Sequence, residues 1–161
     1  MGIKSLKSIE FNGEFEEEPD ICSICGADTM LTGWNEEKDL SRFECTECGA
    51  IIVYDSDCKE TIVKGKKRNW FKFLSKNMTF PFEARIDEGD GLFDEAGPLR
   101  CDDKVVVQKV SGDFDLYGIV AKIKKGREIY EFPLCDLAID DENNPNYRIL
   151  ENYRTWFANC R

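Results

Sequence analysis

Hydrophobic and polar positions change their period along this chain, and each change predicts a different kind of element. Between Thr29 and Tyr54 the short apolar stretches TMLTGW, SRFEC and AIIVY are separated by polar and turn residues, the pattern of short strands. Residues 55–66 (DSDCKETIVKGK) read as a polar connection carrying one short strand at Thr61 to Val63. In NWFKFLSKN the side chains of Trp70, Phe71, Phe73 and Leu74 form the apolar side of a short helix. That helix ends before Pro81, because the residue preceding a proline avoids helical angles.

Four strands are predicted next: FEARID at 82–87, KVVVQKV at 104–110, YGIVAKIK at 117–124 and EIYEFPL at 128–134. In the third, Tyr117, Ile119, Ala121 and Ile123 alternate with Gly118, Val120, Lys122 and Lys124, the period of two of a strand. KKGR makes a tight turn in which Gly126 supplies the positive φ. At the end of the chain Ile149, Leu150, Tyr153, Trp156, Phe157 and Cys160 recur at three- and four-residue intervals, one face of an amphipathic helix that covers the strands. Several short strands joined by short turns predict a mainly β (α+β) protein whose C-terminal part is a small SH3-like antiparallel β-barrel with flanking helices.

Two Cys-x-x-Cys pairs change this picture for the N-terminal part. Cys22 and Cys25 are followed by Cys45 and Cys48, with 19 residues between Cys25 and Cys45, and each pair is followed by glycine. A Cys-x-x-Cys turn brings two sulfurs to one ion, and two such turns complete a tetrahedral shell. The spacing is that of a zinc ribbon, with Cys22, Cys25, Cys45 and Cys48 as ligands of a structural Zn2+ and rubredoxin-like iron as the alternative metal. Four thiolates leave no open coordination position, so the centre is expected to hold the fold and do no chemistry. Cys58, Cys101, Cys135 and Cys160 are irregularly spaced and are read as buried or partly buried small hydrophobes. The expected organisation is an acidic lead at 1–20, the ribbon at 21–54, a linker at 55–66 and the β domain at 67–161.

Composition bounds the function. The formal charge of −10 argues against a nucleic-acid partner, which requires concentrated Lys and Arg. Most of the acidity lies early: residues 1–66 hold 15 acidic and 7 basic side chains, net −8. The basic cluster KGKKR at 64–68 reads as a solvated linker. There is no histidine, which removes the commonest general base and every His-containing catalytic zinc site, and no P-loop or nucleophile-elbow motif is present. The chain is not expected to be an enzyme. No apolar run approaches the length of a membrane span, and no signal peptide is read at MGIKSLK. With eight cysteines read as thiols and metal ligands, the expected compartment is the cytoplasm.

Three acidic loops, at 87–97, 111–118 and 139–146, offer the oxygens that calcium takes in sets of six to eight. None matches the EF-hand loop, so a calcium site would pool carboxylates from two loops, or from a loop and the last helix. The candidates are Asp87, Asp90, Asp113, Asp115, Asp140, Asp141, Glu142 and, on the helix, Glu151. Read alone, such acidic turns are also ordinary solvated surface.

The run from Thr79 to Arg161 resembles the small bacterial and cyanobacterial calcium-binding protein family. The resemblance is carried by Thr79-Phe80-Pro81-Phe82-Glu83-Ala84, by Gly97-Pro98-Leu99 with Asp103-Lys104-Val105, by Gly126-Arg127 through Phe132-Pro133-Leu134-Cys135-Asp136-Leu137, and by Pro145-Asn146-Tyr147 through Asn152-Tyr153 to Trp156-Phe157-Ala158-Asn159. It implies a compact, mostly β domain that binds Ca2+ through acidic side chains as a buffer or sensor. The competing expectation is a protein–protein interaction adaptor built from the ribbon and the barrel, without calcium, meeting an unidentified protein partner through an apolar patch around Trp34 or Trp70.

Overall fold

The computed structural model describes residues 2–12, 20–87 and 97–160. It is mainly β, with two antiparallel sheets and few helices. The chain divides into two units, residues 1–68 with 158–161, and residues 69–157. Among the described residues no helix is long and apolar enough to cross a membrane.

The first unit carries the short helix α1 (Ile3–Leu6) and a four-stranded sheet, β1 (Thr29–Asn35), β2 (Leu40–Cys45), β3 (Ile51–Tyr54) and β4 (Glu60–Lys64), in that spatial order. The strands expected from TMLTGW, SRFEC and AIIVY are thus present. β4 extends this sheet beyond residue 54: Ile62 pairs with Ile52 and Glu60 with Tyr54. The short strand expected at Thr61 to Val63 is thus present, and it joins this sheet because β3 offers it a neighbour. A bulge between Leu31 and Gly33 bends β1. There Gly33 leaves room for Phe11, whose Cβ would lie 2.4 Å from any Cβ at that position.

The second unit holds α2 (Trp70–Asn77), β5 (Phe82–Ile86), β6 (Lys104–Phe114), β7 (Gly118–Lys125), β8 (Glu128–Pro133), a 3-10 turn (Leu134–Asp136), β9 (Leu137–Ala138) and most of α3 (Tyr147–Cys160). Asn69 caps α2, its side chain accepting from the Lys72 amide at 3.0 Å, and so satisfies one of the helix's free donors. The strand order is β8-β7-β6-β5-β9, and no pairing between β8 and β9 closes the sheet among the described residues. Two register shifts in β6, near Lys109 and Gly112, add bends to its long course. Ile119, Ala121 and Ile123 of β7 are fully buried, as their alternation requires, and pack with Val107, Leu134, Leu137, Leu150 and Tyr153.

Trp70 is 4% exposed and sits in this core, edge-on to Phe73 and Tyr153. It therefore contributes nothing to a surface patch, which corrects the expectation of a partner site there; an indole on the apolar side of a capped helix is drawn inward by its large area. Asn146 is equally buried. Its amide accepts from the Thr79 N–H at 2.8 Å and donates to the Thr79 carbonyl at 2.7 Å, tying the start of α3 to the segment before β5.

Candidate metal centres

The two cysteine pairs build equivalent corners from the repeated sequence Cys-x-x-Cys-Gly-Ala. Cys22 N–H donates to the Ala27 carbonyl at 2.8 Å, and Cys45 N–H to the Ala50 carbonyl at 2.9 Å. Gly26 and Gly49 return an amide to the Cys22 and Cys45 carbonyls, and both adopt the left-handed region, at φ 74° and 66°. This backbone brings the four sulfurs within 4.8 Å of one another, with Cys22 to Cys48 at 3.7 Å and Cys25 to Cys45 at 3.4 Å. A tetrahedron with metal–sulfur bonds of about 2.3 Å has edges of about 3.8 Å, so the thiol cage has the right size for one ion. The amides of Glu47 and Cys48 both donate to Cys45 Sγ at 3.4 Å.

Crowding among these sulfurs splits their proton affinities. A hydrogen bond with Cys25 lowers Cys22 to about 5, the same bond pushes Cys25 up, and burial raises Cys48 to about 11. A metal ion takes all four as thiolates, so loading displaces protons and the site weakens as pH falls.

The acidic candidates are divided by the fold. Asp87 and Asp140 both pair with Arg85, through Nη1 at 3.3 Å and Nε at 3.1 Å, and Asp102 joins them at 3.1 Å. Asp87 also meets Arg154, which binds Glu151 at 2.9 Å. Asp87, Asp102, Asp140 and Glu151 thus gather around two guanidinium groups where β5 ends and β6 begins. The pair with Asp140, followed by that with Asp87, holds Arg85 further toward its charged form. A shallow cleft of about 190 Å³ lies beside them, lined by Glu83, Lys104, Asp140, Asp141 and Asn144 among others. Asp141 turns a carboxylate oxygen toward the Asn143 amide at 2.9 Å, and Glu142 is exposed in the same turn.

Asp113 and Asp115 are exposed at the opposite end of β6, in the hairpin with β7. The length of β6 lies between them and Asp102, and no cluster of ligand atoms joins them to Asp87 and Asp140 among the described residues. Asp90 lies outside the described residues. Among those described, the four cysteines are the only group of three or more Cys, Asp or Glu side chains with ligand atoms within 4.8 Å of one another. The carboxylates around Arg85 are gathered by a cation of the protein's own and stand farther apart.

Asp102 and both arginines were not singled out from the sequence. The available signal was Arg85 interrupting FEARI and the acid pair in RCDDK immediately before a strand. Neither names its distant partners, since the pairs of Arg85 with Asp102 and Asp140 span 17 and 55 residues.

A family model described as calcium binding (Calci_bind_CcbP) matches residues 50–157. The chain belongs to this calcium-binding family. The match takes in β3, β4 and α2 as well as the stretch from Thr79 onward in which the resemblance was read. No curated protein and no solved structure matches the chain. For this member of the calcium-binding family, all the acidic candidates within the matched range except Asp90 are placed by the structure, and the four clustered cysteines, Cys22 to Cys48, all precede that range.

The remaining thiols are not uniformly buried. Cys135 and Cys160 are half-buried, as expected, whereas Cys58 and Cys101 are exposed, which corrects the reading of these two as buried or partly buried. Both exposed cysteines lie in turns, Cys58 between β3 and β4 and Cys101 before β6, where the chain runs over the surface. Burial, then Asp136, pushes Cys135 up to about 12, and burial raises Cys160 to about 11. With metal bound, an alkylating reagent at mildly alkaline pH is expected to modify Cys58 and Cys101 rapidly because they are exposed, and Cys135 and Cys160 slowly because burial disfavours their reactive thiolates. A chelator then exposes the four clustered thiols. Mass spectrometry of the labelled peptides checks the order, and early labelling of Cys135 would contradict it.

Proposed function

We propose that this chain is a non-catalytic cytoplasmic metal-binding protein, with a structural zinc ion in the first unit and calcium in the second, where it acts as a buffer or sensor. Family membership over residues 50–157 is the observation that carries the calcium reading. Zinc is favoured for the cysteine centre because four thiolates suit a borderline-soft ion in a closed tetrahedral shell; elemental analysis separates it from iron. The finer fold reading is an SH3-like barrel, supported by the strand order and by the 3-10 turn between β8 and β9.

The calcium ligands we assign are Asp87, Asp102 and Asp140, with Asp141 and Glu151 beside them. The carboxylates of Asp87, Asp102, Asp140 and Glu151 already face a cation. Calcium carries twice the charge of a guanidinium and prefers oxygen ligands, so binding would displace Arg85 and draw the carboxylates together. The exposed hairpin acids Asp113 and Asp115 are left as solvated surface.

An amide NMR titration of the full, zinc-loaded chain with calcium, using magnesium as the control, tests this reading. Expected are saturable shifts at Asp87, Asp102, Asp140 and Asp141, at calcium concentrations on the order of micromolar. The double change Asp87→Asn with Asp140→Asn should weaken binding by tenfold or more, while Arg85→Gln should strengthen it several-fold by removing the competing cation. Flat spectra into the millimolar range would sink the calcium reading. Shifts confined to Asp113 and Asp115 would sink only the assignment of ligands.

A further inference from the structure

The first unit contains a groove that the metal centres do not use. It is open to solvent, about 320 Å³ in volume, and lies on the face of β2, β3 and β4 beneath the segment that leads out of α1. Its floor is apolar: Leu6 and Val53 are buried, while Ile9, Phe11, Ile51 and Val63 remain half-exposed toward the opening. The wall is fixed. The Asn12 amide donates to the Trp34 carbonyl at 3.0 Å, Asn35 Nδ2 donates to the Glu10 carbonyl at 2.8 Å, and Phe11 fills the space left by Gly33.

The charge around this groove is the reverse of its surroundings. Residues 1–66 carry 15 acidic and 7 basic side chains, yet every charged residue lining the groove, Lys7, Arg42 and Lys64, is cationic. Lys7 and Lys64 are exposed, and Arg42 Nη1 is turned onto Thr32 Oγ1 at 2.5 Å. An apolar floor with a basic rim, on an acidic body, is complementary to a ligand with an apolar anchor flanked by carboxylates. Because the groove is open, it suits one inserted side chain with its backbone and charges outside; an acyl chain needs an enclosed cavity that covers most of its surface. Phosphate-rich nucleic acid would be repelled by the net −10 of the whole chain.

We infer that this groove is a docking site for an acidic peptide segment of a partner protein, anchored by an aromatic or aliphatic side chain between Ile9, Phe11 and Val63 and held by Lys7, Arg42 and Lys64. The site is independent of the calcium reading. It gives the first unit a recognition surface in addition to its metal centre.

The test uses the full zinc-loaded chain and three short fluorescein-labelled peptides: one phenylalanine among glutamates, the same with lysines, and the same with alanine for phenylalanine. The glutamate–phenylalanine peptide should bind saturably, with a dissociation constant on the order of 100 µM, and shift the amides of Leu6, Phe11, Val53 and Val63. The double change Lys7→Glu with Lys64→Glu, at exposed positions that leave the fold intact, should weaken it about tenfold. Equal binding of all three peptides, or none into the millimolar range, would overturn the proposal. So would shifts at these amides that grow with protein concentration alone, which would assign the groove to a second copy of the chain. Binding that emerges only on Phe15→Ala would give it to the chain's own acidic run at 14–18 and overturn the proposal equally.

Discussion

Stripping the metal from Cys22, Cys25, Cys45 and Cys48 is expected to unfold the four-stranded sheet of the first unit. The sulfurs are part of its interior: Cys22, Cys25 and Cys45 are themselves members of the buried cluster formed with Ile24, Ala27, Ala50 and Ile52. The other cluster in this unit has only Leu6, Leu40 and Val53 fully buried. A core this small does not offset the entropy of ordering some forty residues, whereas a structural four-cysteine zinc site contributes on the order of 10 kcal/mol at neutral pH. With the bound ion removed by a chelator, amide resonances from Thr29 to Lys64 should collapse toward random-coil positions while those of β5 to β8 stay dispersed. Cys25→Ser should do the same without a chelator, because it leaves three ligands and a buried hydroxyl. Retained dispersion between Thr29 and Lys64 in protein shown to be free of metal would mean that the ribbon does not depend on its ion.

The cysteine centre and most strands were legible in the sequence because both are local signals. Cys-x-x-Cys-Gly sets its own turn, and the alternation of Ile119, Ala121 and Ile123 sets its own buried face. What depended on distant partners was not legible. The short run at Thr61 to Val63 reads as a strand, but its place beside β3 does not follow from it. Trp70 could be read equally as a surface anchor or a core residue until Tyr153 and Trp156 were placed against it. The exposure of Cys58 and Cys101 follows from turns whose geometry the irregular cysteine spacing does not encode.

The acidic loops show the same limit more sharply. Counting carboxylates per loop grouped Asp113 and Asp115 with Asp87 and Asp140 as equal candidates, yet one long strand separates them. Asp102 went unnoticed because it lies outside the acid-rich loops, although the Asp102 amide donates to the Ile86 carbonyl at 2.9 Å and so fixes it beside Asp87. The arginines carry the information that the acids lack. Arg85 and Arg154 mark where negative charge converges, and Asp87 is the residue they share.

Tyr153→Ala should be the most destabilising single substitution in the second unit, by about 3–5 kcal/mol, the usual range for truncating a fully buried aromatic. Tyr153 is 1% exposed, and its ring packs on Trp70, Trp156 and Phe157 with centroids 5.3, 6.3 and 6.0 Å away. Its hydroxyl accepts the Ile119 amide at 2.8 Å, directly after Gly118, whose φ of 65° lets the backbone approach: a Cβ there would lie 2.5 Å from that oxygen. Tyr153→Phe keeps the ring and loses only this bond, leaving a buried amide donor unpaired at a cost of about 1–2 kcal/mol. Urea unfolding followed by the fluorescence of Trp70 and Trp156 measures both. The consequence reaches the proposed calcium site, because Tyr153 lies between Glu151 and Arg154 and its anchorage sets where Arg154 meets Asp87 and Glu151. Tyr153→Phe should therefore leave calcium affinity within about twofold, whereas Tyr153→Ala, examined below its unfolding midpoint, should lower it along with stability. If Tyr153→Ala cost less than about 1 kcal/mol, the helix would be held by contacts other than this ring, and the coupling of α3 to the carboxylates would lose its basis.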